Sequence, residues 1–458
     1  MKISDIKSPE FLKNLTYQEM KTLAGDIRRF LIENISQTGG HFSSNLGMVE
    51  LTIALHYVFN NKNDKIIFDV GHQTYTHKIL TGRAKDFPTL RKKEGLSGFL
   101  KYHESPYDSW EAGHSSTSIS AASGFLEAKL MGADIGEVIA VIGDGSIQNG
   151  LAFSALNYLG SRKDQKVIII LNDNNMSISP NVGSLARVFD RVRLRRSYQV
   201  IRKLTPKIFS NLKRAISSFL HGGNMFTSIG FRYFGPIEGH DMKTLIRFLT
   251  YAKNSDQSII IHVNTEKGKG YELAEKDSLG TWHGVSPFDI ATGKPLKPTP
   301  KGKISWSKGI GEILLKEAKL NPDIITLCPA MIYGSGLIKY QQELPKQIID
   351  VGISEEHCVV MASALALSGK KAVVAIYSTF LQRAYDEINH DIARTNAQVV
   401  FLVDRAGIVG GDGSTHQGTF DMAFLSHLPN LVITMPKDLQ EASSLLHYAL
   451  NHHQGPFV

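Results

Sequence analysis

Cysteine is almost missing from this sequence: Cys328 and Cys358 are the only two in 458 residues. They form no ligand spacing, which excludes a disulfide framework and a cysteine-built zinc site and points to a reducing, cytoplasmic setting. Long apolar runs are missing too. Nothing approaches the eighteen or so residues of a membrane span, and the opening MKISDIKSPEFLKNL has acids and no apolar stretch, so no secretory leader is expected. Low-complexity tracts and short-period repeats are absent. Even the basic excess is local. The net charge is +8, but residues 187–214 hold ten Lys/Arg against the single acid Asp190, which outweighs the whole surplus. Apolar residues at helical spacing in that segment (Val188, Val192, Ile201, Leu204, Ile208) read as helices covering another surface with a solvated basic face. Attraction of phosphorylated metabolites or anionic membrane is the alternative. Nucleic acid is not expected, because aromatics interleaved for base stacking are missing.

What remains is an ordinary globular composition, 42% hydrophobic and 21% charged. At this length one core is insufficient, and two or three domains are expected. Thr16 with Glu19 has capping-box spacing ahead of Met20, Leu23, Ile27 and Leu31, which predicts a first helix. Short β-branched runs then alternate with helical patterns up to SIIIHVNTEKGKGYELAEK. Residues 284–303 hold four of the sixteen prolines and read as a linker. A second alternating series follows, through DIITLCP, KAVVAIYSTF and QVVFLVDRAG. The expected fold class is α/β, two domains each built on a mainly parallel sheet flanked by helices: 1–284, a linker over 285–303, and 304–458.

The chemistry concentrates where strands should end. Val138–Ile142 and Val167–Leu171 lack polar alternation, as strands buried on both faces do. Gly143-Asp144-Gly145 follows the first and Asn172-Asp173-Asn174 the second, at carboxyl ends where open α/β sheets bind ligands. Alone, each cluster would be an ordinary turn. As a pair, Asp144 and Asn174 offer hard oxygens suited to Mg2+, and the glycines let backbone approach a phosphate. Three histidines follow glycine in loops: His41 in GGHF, His72 in VGHQTYTHK and His114 in AGHSSTSIS. None has metal-site spacing.

Taken together these strings resemble the thiamine diphosphate enzymes of the transketolase superfamily, and within it the 1-deoxy-D-xylulose-5-phosphate synthases. DVGHQTYTHKILTGR, GHSSTSIS, LNDNNMSIS, GHD at 239–241, KGKGYELAEKD, IYSTFLQRAYDEINHD and DRAGIVGGDGSTHQG carry the likeness in one order across residues 40–418. The resemblance implies decarboxylation of pyruvate and transfer of its two-carbon unit to glyceraldehyde 3-phosphate. A carboligase with another acceptor, or a non-catalytic cofactor-binding remnant, are the alternatives.

Residue by residue, the resemblance implies that Asp144, Asn174 and the Met176 carbonyl hold Mg2+. His72, Gly113, His114, Ser115, Gly145, Ser146 and Tyr271 would line the cofactor, and Glu355 would hydrogen-bond its aminopyrimidine ring. His41, His283 and His416 are candidates for proton shuttling. Tyr377, Arg383, Arg405 and Asp412 would face the acceptor, the arginines its phosphate. Read without the family, Glu355 is an acid at a helix start, Arg383 a partner for Asp386, and Tyr377 a core residue. Glu356, beside Glu355, would raise its pKa if both point inward. The resemblance further implies a third, carboxyl-terminal domain that helps build a homodimer and has no counterpart in this sequence. The GPFV ending is expected to lead into the last strands of the second sheet.

Overall fold

A computed structural model describes residues 2–59, 62–174 and 225–458; the basic segment 187–214 and Met176 lie outside them. The first helix, α1 (Tyr17–Thr38), begins as its capping box dictates. The Thr16 side chain accepts the Glu19 N–H while the Glu19 carboxylate accepts from the Thr16 backbone. Its buried stripe of Met20, Leu23, Ile27, Leu31 and Ile35 faces the core, each such side chain contributing roughly 1.5–3 kcal/mol by leaving water. Two short helices follow, α2 (Ser43–Gly47) and α3 (Val49–Val58).

The first sheet has five parallel strands: β1 (Lys65–Phe68), β2 (Val138–Gly143), β3 (Ile168–Asp173), β4 (Arg232–Glu238) and β5 (Ile259–Asn264), in the order β1-β2-β3-β5-β4. β3 is buried throughout, as an uninterrupted Ile-Ile-Ile-Leu run must be when helices cover both faces. One face packs on α1 and α3; the other carries α4 (Ser118–Leu130) and α5 (Gly150–Ser161). The helix α6 (Met242–Lys253) joins β4 to β5.

The second sheet is also parallel: β6 (Ile324–Cys328), β7 (Ile348–Asp350), β8 (Lys371–Tyr377) and β9 (Val399–Asp404), ordered β9-β8-β6-β7. The helices α7 (Trp306–Leu320) and α9 (Leu439–Asn451) pack on one face, and α8 (Glu355–Leu367) on the other. Phe457 bridges both Val400 and Val432, so the GPFV segment continues this sheet beyond β9.

The proline-rich stretch is less free than its composition implies. Gly40 and His41 pair with Val285 and Gly284, and Phe288 is buried in the first core. After Phe288 the chain is exposed almost continuously, from Asp289 to Trp306. Cys328 and Cys358 are both buried free thiols. Among the described residues no helix is long and apolar enough to cross a membrane.

Candidate active site

The carboxyl ends of β2 and β3 open onto a cleft whose opposite wall comes from the second sheet. The space is about 1070 Å3, solvent-open part included. From the first domain it is lined by His41, His72, Gly113, Ser115, Asp144, Gly145, Ser146, Asn174 and His283; from the second by Glu355, His416 and an apolar shelf of Ala330, Met331, Ile353 and Phe380. Most of the residues singled out from sequence therefore meet in one place, although Asp144 and Glu355 stand 211 positions apart.

The metal-and-phosphate end is built by the sheet register. Gly143 pairs with Asn172 across β2 and β3, and the Asp144 N–H donates to the Asn172 carbonyl at 3.1 Å. This brings Asp144, buried, and Asn174 to the same edge of the sheet. Two side-chain oxygens are a partial shell for a hard cation that keeps water or phosphate as further ligands. Among the described residues no group of three His, Cys, Asp or Glu forms a metal cluster. A Cβ on Gly143 would meet nothing within 4 Å, leaving the room a bulky ligand needs. Gly113 serves another purpose: a side chain there would overlap Thr415, so glycine lets the second domain's loop close in.

Several residues of this wall escaped the sequence reading. Asp69 accepts from the Ser116 N–H at 2.7 Å and from the Ser118 N–H and hydroxyl at 3.1 and 2.8 Å, pinning the GHSSTSIS loop. Val70 and Ser116 sit at φ 62° and 75°, and a β-branched residue in that region is strained, as happens where a site over-determines its backbone. Asn45 is wholly buried. Its amide donates to the carbonyls of His41 and His72 at 3.0 and 2.8 Å and accepts the Tyr75 N–H at 2.8 Å, bracing three loops at once. Lys267 also lines the cleft, and burial lowers its ammonium to about 8 although Asp144 and Asp277 act the other way. A lysine in a glycine-rich loop after a strand was the one available signal for it.

Burial governs the histidines of this region. His41, His72 and His283 cluster with ring centroids 5.0–5.9 Å apart. Burial first, and then neighbouring positive charge (Arg91 and His416 for His41; His41 and Lys267 for His72; His72 and Lys267 for His283), holds all three well below the ordinary range. His416 stacks on Phe99 at 5.0 Å and is lowered by burial, with Asp412 opposing. His114 faces the second domain's loop instead of the cleft: its Nε2 lies 2.9 Å from Thr379 Oγ1 and from the Thr415 carbonyl, and burial lowers it to about 4.

At the other end, Glu355 opens α8 with one carboxylate oxygen, Oε2, buried and without a hydrogen-bond partner. Burial raises its pKa, the Arg383 charge opposes, and Glu356 adds only a smaller upward push. The inward-facing pair feared from the sequence is thus a secondary effect. A raised, orphaned carboxyl fits a ligand that offers it a nitrogen.

Besides His114, one further expected cofactor residue and the four expected acceptor residues do not line the cleft. Arg383 reaches Ser115, through its carbonyl and its hydroxyl, and approaches Glu355 at 3.6 Å, leaving Asp386 aside. Arg405 lies over the Tyr377 ring at 4.5 Å and pairs with Asp404 and Ser307, both at 2.7 Å. Tyr377 itself stacks on Phe380. Asp412 pairs with Arg91 at 2.6 Å and stands 3.9 Å from His41 Nε2. Tyr271 stands furthest from the expectation: its ring packs among Phe42, Trp282 and Phe288, and its hydroxyl donates to the Ile290 carbonyl at 2.9 Å. The Met176 carbonyl lies outside the described residues.

Two parallel α/β units with one cleft shared by their strand ends form a transketolase-like fold. Residues 302–458 match the family model of the transketolase pyrimidine-binding domain, and residues 3–265 that of 1-deoxy-D-xylulose-5-phosphate synthase. Relatives named 1-deoxy-D-xylulose-5-phosphate synthase are 49% identical in Macrococcus caseolyticus and 48% in Bacillus cereus; each match covers 100% of this chain and 75% of the relative. Transketolase from Campylobacter jejuni aligns in structure with a TM-score of 0.45 at 21% identity, over 97% of this chain and 78% of that one. The chain belongs to the 1-deoxy-D-xylulose-5-phosphate synthase family.

Proposed function

We propose that this protein condenses pyruvate, with loss of carbon dioxide, and D-glyceraldehyde 3-phosphate to 1-deoxy-D-xylulose 5-phosphate, a step toward isoprenoid precursors, using thiamine diphosphate and Mg2+ held in the inter-domain cleft. The observation that carries this reading is the placement of Asp144 and Asn174 at one end of the cleft and, at the other, of the buried Glu355 carboxyl, whose Oε2 has no hydrogen-bond partner.

When bound, the cofactor supplies an electron sink for the carbon that loses carbon dioxide. The chain supplies the rest. Asp144 and Asn174 hold the metal, and Gly145, Ser146 and Lys267 surround the diphosphate end. Glu355 holds the aminopyrimidine ring by accepting or sharing a proton with its nitrogen. The apolar shelf of Met331, Ile353 and Phe380 keeps water from the middle of the cleft. His41, His283 and His416 would accept or return a proton near the reacting carbon, with His72 beside them in the lining. Arg383 lies against Ser115, Tyr377 against Phe380 and Arg405 over Tyr377, with Asp412 held by Arg91; the arginines would reach the acceptor's phosphate by leaving their present partners.

The buried free thiols fit a cytoplasmic enzyme. Leu151, Phe153 and Tyr158 on α5 and Val360 on α8 are exposed apolar side chains suited to a second copy of the chain, so a homodimer is part of the reading. The test is calorimetry with product analysis. Thiamine diphosphate should bind only with Mg2+, Asp144→Ala should abolish that binding, and the loaded wild-type protein should form deoxyxylulose phosphate. Equal binding in excess chelator would remove the metal assignment.

A further inference from the structure

We propose that His240, braced by Glu50 and Arg28, is a positioning residue for Lys267. This rests on the reading above that Lys267 meets the cofactor's diphosphate.

His240 belongs to the Gly-His-Asp string after β4, away from the cleft lining, and its ring nitrogens have opposite tasks. Nε2 lies 2.9 Å from the Glu266 backbone nitrogen and accepts its N–H. The ring proton therefore sits on Nδ1, which donates to Glu50 Oε2 at 3.0 Å. Glu50 is buried and remains a carboxylate. Burial would raise it, but hydrogen bonds from His240 and Arg28 outweigh that and hold it at about 2. Arg28 takes the same carboxylate in a fork, Nη1 at 2.7 Å, and donates from Nε to the Leu46 carbonyl at 3.1 Å. A chain of fixed partners thus runs from α1 through α3 to the N–H of the residue preceding Lys267.

That peptide is held on its other sides as well. A Cβ on Gly47 would stand 2.8 Å from the Glu266 carbonyl oxygen, and the Gly268 N–H donates to the Ser43 carbonyl at 2.8 Å. Gly47 and Gly268 fix how closely the loop lies on α2. His240 fixes its rotation, because only an acceptor at the Nε2 position satisfies the Glu266 N–H. The direction in which Lys267 enters the cleft follows from that peptide plane. Partners of this outer kind typically change ligand affinity about 10–100-fold when removed.

The test compares His240→Gln, His240→Asn and His240→Ala. A glutamine amide oxygen reaches the Nε2 position and can accept from Glu266; an asparagine amide reaches only the Nδ1 position and keeps Glu50. Two readouts separate positioning from cofactor contact. The first is the acylation rate of Lys267 by acetic anhydride in the cofactor-free protein, normalised to the exposed Lys297 and read by peptide mass spectrometry. The second is calorimetric affinity for thiamine diphosphate with Mg2+. His240→Gln should stay within about twofold of wild type in both. His240→Asn and His240→Ala should shift Lys267 reactivity at least about threefold and weaken the cofactor about tenfold. Altered reactivity with unchanged affinity would support the positioning and remove the diphosphate contact. Unchanged reactivity in Asn and Ala, or equal changes in all three variants, would overturn the proposal.

Discussion

Glu355 shows how one side chain's environment sets its use. Its neighbour in sequence, Glu356, is partly exposed, whereas Glu355 is buried with one oxygen lacking a hydrogen bond. Burial dominates its raised pKa, and Arg383, 3.6 Å away, tempers it. A carboxyl so placed is suited to sharing a proton with a ligand nitrogen, which an amide of the same shape cannot do. Glu355→Gln should keep thiamine diphosphate affinity within a few-fold while turnover falls about 10²–10⁴-fold, the range for a lost general acid–base group. Comparable loss of affinity and turnover would mean that the carboxyl serves binding alone.

At the scale of elements, the loop over 405–418 joins the two domains more than either sheet does. It carries Asp412 to Arg91, Thr415 to His114 and His416 onto Phe99. Gly113 makes that approach possible, since any side chain there overlaps Thr415. Gly113→Ala should push the loop outward, lower turnover about tenfold and expose the loop to proteolysis. Thr415→Gly in the same chain should recover part of the loss, because it removes the atoms in conflict. A double variant no better than Gly113→Ala would place the defect elsewhere. The loop was legible in sequence as a motif, DRAGIVGGDGSTHQG, but its contacts were not. Every partner lies near 300 positions away, and local pattern carries no information about such pairings.

For the whole molecule, the buried histidines set the acid limit of stability. His41, His56, His72, His77, His114, His283 and His416 all have pKa values lowered chiefly by burial. A group with a depressed folded-state pKa binds protons more readily when unfolded, so stability falls as pH drops below the unfolded histidine value of about 6.5. Glu50 loses its contribution lower, between the usual carboxylate range and about 2. The raised carboxyls of Asp69, Glu355 and Glu387 act in the opposite sense, with burial the first cause. Seven histidines against three carboxyls predict a melting temperature that declines steadily from pH 6.5 to 5. Scanning calorimetry showing a flat or rising Tm over that interval would refute it.

The local sequence by itself determined the elements and their edges. The Thr16–Glu19 box started α1, unbroken β-branched runs marked strands buried on both faces, and turn residues at strand ends marked the cleft. Capping, period and burial are decided within a few neighbouring residues, so they are readable without coordinates. Tertiary structure alone decided which polar groups line the cleft and which pair with each other. Tyr271 was drawn into an aromatic cluster, Arg383 and Arg405 were taken by protein partners, and Asn45, Asp69 and His240 became braces. Such choices depend on distances between segments tens to hundreds of positions apart, where a buried donor or acceptor must find its partner in the packed interior.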